Sequence, residues 1–245
     1  MISVVVLTHN SETTIQKTLQ SLLWCDERII IDDSSTDKTV SSAGAYKTKI
    51  IRHHLNDDFA AQRNFGLAQA KGEWVLYVDS DEVVSEELKK EIREAIKNDQ
   101  IAGYFVERRD IVFGRELKHG ETAGVRLLRL AKKSAGSWKR PVHEIWMVQG
   151  LTSQLAYPLY HFPHPNVAQF LDDINFYSSL NAKYLYAQQI REPVWYMVAY
   201  PAAKFFVNYI WRMGFLDGTA GVIIAVMMSF HSFLTRAKLY MLWKQ

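Results

Sequence analysis

Trp74-Val75-Leu76-Tyr77-Val78-Asp79-Ser80-Asp81 is an apolar run that ends in two carboxylates one residue apart. Glu73 to Val78 reads as a buried strand, with the acids at its carboxyl end. Lys71-Gly72, just upstream, stops a helical pattern over Asp57 to Ala70. Ser85, just downstream, is placed to cap a helix carrying Glu86 and Glu87 in its first turn.

The same unit recurs toward the amino terminus. Ile2 to Thr8 is a strand that runs into Thr8-His9-Asn10, and Ser11 is placed to cap a helix whose buried face holds Ile15, Leu19, Leu22 and Leu23. Arg28 to Asp33 is a second strand, Ser34-Ser35-Thr36-Asp37 opens a short helix, and Ile50 to His53 is a third strand. Alternation of this kind predicts an α/β fold with a mostly parallel sheet and helices on both faces. Ligands of such sheets bind beyond the carboxyl ends of the strands. Three polar clusters, Thr8-His9-Asn10, Asp32-Asp33 and Asp79-Ser80-Asp81, converge on that edge.

Toward the carboxyl terminus the pattern changes. From about residue 103 to 160 the helices between strands vanish, while Tyr104 to Val106 and Val125 to Leu130 still read as strands. A mixed or antiparallel extension of the sheet is expected there. Beyond Asn166 the chain reads as helical. The expected division is 1–165 for a nucleotide-binding domain and 166–245 for a helical region.

Composition narrows the function classes. The 245 residues are 48% hydrophobic and 22% charged, with a net charge of +3 and a pI near 8.8. That mild basicity does not imply nucleic acid, and acids gathered at the ligand edge argue against it. Cys25 is the one cysteine, so no internal disulfide forms, a reducing compartment is expected and the thiol reads as inert core. Met1 to Leu7 carries no basic segment and is expected to be a strand and not a secretory signal.

Asp79 and Asp81 can hold Mg²⁺ or Mn²⁺, which favour oxygen ligands and share coordination with phosphates; the alternative is a solvated turn. Asp32 and Asp33 can bond a nucleoside or cap a helix. Arg63 can reach a base or phosphate, or be a surface charge.

Val4-Val5-Val6-Leu7-Thr8-His9-Asn10, Ile29 to Thr39, Ala60 to Ala68 and Leu76 to Glu82 follow one another over about eighty residues. Together they resemble the family 2 glycosyltransferases. Gly124 to Leu130, Trp138 to Trp146, Gly214 to Gly218 and Ala237 to Tyr240 resemble a subgroup, the lipopolysaccharide core β-glucosyltransferases. The resemblance implies a GT-A fold, an inverting mechanism, a nucleotide-sugar donor (a UDP-sugar for the subgroup) and Mg²⁺ or Mn²⁺. It places Thr8, Asn10, Asp32, Asp33, Arg63 and Asp79 around the donor nucleotide, with Asp79 and Asp81 on the metal. Gly120-Glu121-Thr122-Ala123-Gly124 departs from an aromatic-proline stretch common in relatives, and this segment is expected at the acceptor. No Gln-x-x-Arg-Trp motif occurs, so single transfer is expected over polymer synthesis.

Inversion needs a base for the acceptor hydroxyl. Glu144 in Pro141-Val142-His143-Glu144-Ile145-Trp146 is the expected base, with aromatics that can desolvate it. His143 is expected as a third metal ligand or diphosphate partner; the alternative is that His143 and Glu144 are strand residues pairing with nearby Arg140. Asp110 and Glu121 are weaker candidates for the base. Arg126 and Arg129, alternating with apolar residues, are expected to share one face and either bind diphosphate or an anionic acceptor, or form a solvated face.

Residues 183–245 carry seven basic and two acidic side chains among many Trp, Tyr and Phe. Such helices suit a membrane interface; a soluble core or a spanning hairpin are the alternatives. The composite expectation is an enzyme at the cytoplasmic face of the inner membrane. It moves a single hexose, glucose from UDP-glucose, onto a lipid-bound acceptor such as lipopolysaccharide inner core. Transfer to polyprenyl phosphate, a nucleotidyltransferase and an inactive membrane-binding module are the alternatives. The nucleotidyltransferase lacks its usual Gly-rich loop after Leu7.

Overall fold

The computed structural model describes residues 1–244. The chain divides into two compact units. One combines Met1–Arg108 with Arg126–Phe162; the other combines Arg109–Val125 with the chain from Pro163 onward.

In the first unit, β1 (Ile2–Thr8), α1 (Ile15–Ser21), β2 (Glu27–Asp32), α2 (Thr39–Gly44), β3 (Lys49–Arg52), α3 (Phe59–Gln69) and β4 (Trp74–Asp79) follow in order. Next come β5 (Glu82–Val84), α4 (Glu86–Ala95) and β6 (Ile101–Val112), whose residues 109–112 belong to the second unit. Strand β7 (Arg115–Glu116) belongs to the second unit. Then come β8 (Val125–Lys132), β9 (Gly136–Lys139), β10 (Ile145–Val148), β11 (Leu151–Gln154) and β12 (Leu159–His161). The sheet order is β3-β2-β1-β4-β8-β6-β12-β5. Strands β1 to β4 are mutually parallel, and β8 joins β4 antiparallel, so the sheet turns mixed where the helical connections end. Strands β9 and β10 form a separate antiparallel pair.

The central strands β1, β2 and β4 are mostly apolar and buried because both faces of the sheet are covered there. Alternate residues divide between two cores. Val4, Val6, Ile30, Leu76 and Val78 pack with Leu19, Ala43, Leu88 and Ile92 of α1, α2 and α4. Val5, Ile29, Ile31, Val75 and Tyr77 pack with Ala60 and Leu67 of α3 and with Trp138 and Trp146 of the β9–β10 pair. Each large side chain so buried contributes about 1.5–3 kcal/mol. Helix α3 crosses β1 at Gly66, where a Cβ would meet Val5 Cγ1 at 2.6 Å.

Several local expectations are corrected. Ser11 is not the cap of α1: a turn over 12–14 intervenes, the helix starts at Ile15, and the Ser11 hydroxyl lies 2.8 Å from Ser80 Oγ. Leu23 is 48% exposed although Leu22 is buried, because α1 ends at Ser21 and the helical phase does not continue. Helix α3 is capped by Asp58, whose carboxylate accepts from Ala61 N at 2.8 Å.

The second unit contains α5 (Val167–Ala187), α6 (Tyr196–Phe206), a π turn (Val207–Trp211), a 3₁₀ turn (Gly214–Asp217) and α7 (Gly218–Leu242). Its core joins Val112 and Leu117 to Phe170, Ile174, Ala220, Ile224 and Met227. Segment 109–125 therefore folds with these helices, although the sequence placed it in the first domain. Asp217 fastens it: its buried carboxylate accepts from Lys118 N (3.1 Å), His119 N (2.9 Å) and His119 Nδ1 (3.0 Å). Cys25 is buried in the first unit, and desolvation pushes its thiol up to about 12.

Candidate active site

The parallel strands deliver three polar ends side by side. Thr8 pairs in register with Asp32, and Leu7 with Asp79. Thr8 is buried and its Oγ1 has no hydrogen-bond partner among the described residues. Asp33 Oδ1 accepts from Leu55 N at 3.0 Å, and the Asp33 carbonyl lies 2.6 Å from His9 Nδ1. Asn10, at a φ of +46°, accepts from Thr36 N at 2.9 Å and so joins the loop after β1 to the loop after β2. Asp32, expected beside the nucleoside, is fully buried and both its oxygens accept from Ser35, at 3.1 Å from N and 2.5 Å from Oγ. It shapes this edge from beneath.

Two buried arginines tie the acids together. Arg63, on α3, was expected to reach outward to a base or phosphate. It is instead 4% exposed; its Nη2 donates to Asp79 at 2.9 Å and its Nε to Glu144 at 2.8 Å. The guanidinium carbon lies 4.8 Å from the Trp138 ring and 5.6 Å from Tyr77, whose hydroxyl donates to the Arg63 carbonyl. Arg63 Nη1 is buried without a partner among the described residues. Arg129, on β8, bonds Asp79 at 2.6 Å and Glu82 at 3.0 Å. Arg126 does not share its face: it is exposed, because three residues along a strand reverse the side-chain direction.

The network sets the charges. Burial disfavours ionisation of Asp79, but Arg129 and Arg63 more than offset it and hold its carboxyl far below the usual carboxylate range. Burial raises Glu82 above its usual value despite Arg129. Partial burial also works against Asp81, but His161, with Nε2 3.3 Å from Oδ2, lowers it.

Helix α3 also positions the segment before β10. Asn64 Nδ2 donates to the Trp138 carbonyl and its Oδ1 accepts from Trp138 N, both at 2.9 Å. Phe59 N donates to the Pro141 carbonyl at 2.9 Å. Pinned at both points, the chain runs on to Glu144, three residues past Pro141, where it meets Arg63.

The expected metal set does not assemble as written. Both Asp79 oxygens are bonded by arginine, and His143 is exposed at a φ of +54°. Among the described residues no group of three or more His, Cys, Asp or Glu is arranged for a metal ion. Asp81 with His161 forms a carboxylate–imidazole pair, and such a pair fits Mg²⁺ or Mn²⁺ that completes its shell with water and diphosphate. Sequence reading missed His161, Glu82 and the bonded role of Arg129. The signal for His161 was a histidine ending the strand 159–161, as other polar groups end β1, β2 and β4. Strand β12 carries it to this edge by pairing with β5, His161 opposite Glu82, while Phe162 N donates to the Asp81 carbonyl at 2.9 Å. Glu121 and Asp110 lie in the second unit. Glu121 there bonds Lys204 at 3.2 Å and Asn208 at 3.1 Å.

A mostly parallel sheet turning mixed, with acids gathered at its carboxyl edge, is the architecture of the GT-A sugar transferases. Residues 3–147 match the family described as Glycosyl transferase family 2, and the chain belongs to it. It is a glycosyltransferase with a GT-A fold. Over its whole length it resembles the lipopolysaccharide core biosynthesis glycosyltransferase LpsC of Rhizobium meliloti, at 29% identity, covering 98% of this chain and 92% of that one. An uncharacterized glycosyltransferase of Rickettsia typhi is 25% identical, with 97% and 86% covered. Among solved structures, residues 1–349 of S. aureus TarS superpose with a TM-score of 0.52 at 16% identity, covering 100% of this chain and 92% of that one. TarS has also been solved with UDP and with UDP-GlcNAc.

Proposed function

We propose that this enzyme moves a single glucose, with inversion, from UDP-glucose to a lipid-bound acceptor such as lipopolysaccharide inner core. It works at the cytoplasmic face of the inner membrane, with Mg²⁺ or Mn²⁺. The observation that carries this reading is the Arg63 bridge, which holds Asp79 of the donor edge and Glu144 within one guanidinium. The full-length likeness to LpsC supports the acceptor class. The UDP and UDP-GlcNAc complexes of TarS support a UDP-sugar donor.

Thr8, Asn10 and Asp33 would border the nucleoside. Asp81 and His161 would hold the cation, which when bound supplies charge to neutralise the leaving diphosphate. Arg63 fixes Glu144 through Oε1 and leaves Oε2 to accept the proton of the acceptor hydroxyl. The acceptor oxygen bonds to the anomeric carbon from the face opposite the diphosphate. The bond from that carbon to the phosphate oxygen breaks, and its electron pair leaves with UDP.

The test is calorimetric titration with UDP, GDP and CDP, with and without Mn²⁺. The expected result is metal-dependent binding of UDP alone. A folded protein that binds none of the three would remove the reading. With a donor and acceptor in hand, Glu144→Gln should bind UDP normally yet lose about 10²–10⁴-fold in transfer rate; full turnover would place the base elsewhere.

A further inference from the structure

The outer face of α6 and of the turn after it is apolar and unexplained by the transfer chemistry. Helix α6 buries none of its residues. Trp195, Val198, Ala202, Phe206 and Ile210 recur every three or four positions and form one stripe. Trp195 is 63% exposed, Val198 72%, Phe206 60% and Ile210 43%. No polar side chain interrupts the stripe. Trp211, at the end of the π turn, is 80% exposed, and Met213, Phe215 and Leu216 follow it as exposed residues. A contiguous apolar surface of this kind marks a contact with another apolar phase.

The acids around it are each paired or bonded: Glu121 meets Lys204 of α6 at 3.2 Å. Glu192 is paired with Arg236 at 3.1 Å, and Asp217 is held by the loop at 118–119. Arg191, Arg212 and Lys244 are exposed and make no ion pair among the described residues. Arg191 lies over the Trp243 ring at 4.0 Å, and both line a cavity of ≈ 220 Å³ with Tyr240 and Lys244. Exposed cations beside exposed aromatics complement a surface that is apolar within and anionic at its rim.

The span Gly214–Leu242, at a mean hydropathy of 1.5, is long and apolar enough to cross a membrane. Its packing opposes that use. Ala220, Ile224 and Met227 are buried with Phe170 and Ile174 of α5. Ser229 Oγ donates to the Pro201 carbonyl at 2.9 Å, and Lys238 Nζ donates to Asn175 O at 2.6 Å and Ser178 Oγ at 2.8 Å. A spanning α7 would break these bonds and strand Lys238 and Arg236 against lipid.

We propose that α6 and the turn to Leu216 lie in the surface of an anionic phospholipid bilayer. The apolar stripe enters the acyl boundary, and Arg191, Arg212 and Lys244 meet the headgroup phosphates. This deepens the membrane-surface reading above and rests on it; α7 packs within the protein and does not cross.

The full chain is sedimented with vesicles of phosphatidylcholine, alone or with phosphatidylglycerol. The expected result is binding to the phosphatidylglycerol vesicles that weakens about tenfold or more in 1 M salt, where the Debye length is about 3 Å. Val198→Asp with Phe206→Asp should lower binding at least about tenfold while circular dichroism and UDP affinity stay unchanged. Arg191→Glu with Lys244→Glu should abolish the preference for phosphatidylglycerol. Wild-type sedimentation by the Val198/Phe206 variant would overturn this surface and leave the membrane reading standing. Failure of the wild type to bind any vesicle would overturn both. Retention of the aspartate variant in carbonate-washed cell membranes would overturn it in favour of a spanning α7. Vesicle binding without UDP binding would uphold the surface and remove only the transferase chemistry.

Discussion

Arg63 lies between two carboxylates and holds each through a different nitrogen. Lysine has one nitrogen at the end of a flexible stem and does not reproduce that fork. Arg63→Lys is expected to lose one charge-assisted bond, about 1.5–3 kcal/mol, and so to lower transfer about tenfold to a hundredfold. Steady-state kinetics against UDP affinity would show it; an unchanged rate would mean the bridge has no part in turnover. On the proposed cation site, metal and nucleotide are expected to tighten each other's binding by about 5–150-fold. Asp81→Ala and His161→Ala should each bring that ratio toward one, and the double variant should do no worse than either. An unchanged ratio in Asp81→Ala would remove the metal assignment. Cys25, with its thiol pushed up to about 12 by burial, should resist a thiol reagent at pH 8 in the folded protein and react fully in denaturant. At this scale the sequence was legible only in part. Residue types at strand ends could be read, because strand ends are local. Their bonds could not: Arg63 meets Glu144 across 81 positions, and Arg129 meets Asp79 across 50.

Among the elements, β1 to β4 with their helices follow the sequence closely, since each apolar run and its stop signal lie within a few residues. Boundaries moved where a short turn intervened, as between Ser11 and Ile15. The β9–β10 pair was not legible, being two four-residue segments whose stability comes from α3 and not from their own pattern. Asn64 supplies that support in two directions. Asn64→Ala should leave the Trp138 N–H and carbonyl without those partners, at about 1–3 kcal/mol. In a chain of this size each kcal/mol lowers Tm by about 2–4 °C. Thermal unfolding followed by tryptophan fluorescence would read it, and an unchanged Tm would show that the clamp is dispensable. Gly221 permits the closest approach in the second unit: a Cβ there would meet the Gly214 carbonyl oxygen at 1.9 Å. Gly221→Ala should therefore destabilise by about 1–3 kcal/mol or more.

At the level of the whole molecule, the second unit is drawn from two separated stretches of chain. Nothing in the sequence pattern signals this, because the hairpin ending in β7 looks like any other pair of strands. Its membership is decided by Val112 and Leu117, which are covered only by α5 and α7 residues within that cluster. A chain ended at Phe162 is expected to expose both and to bind a hydrophobic dye or aggregate. A soluble, dye-silent product would show that the hairpin needs no helical partner.

That interleaving has a consequence in time. Val112 leaves the ribosome about a hundred residues before Ile224, a delay of roughly 5–20 s at about 5–20 residues per second. The donor edge can assemble during this interval, whereas the hairpin waits uncovered until α7 has been made. Slowing translation between the two stretches should lengthen that wait and raise the newborn chain's dependence on chaperones.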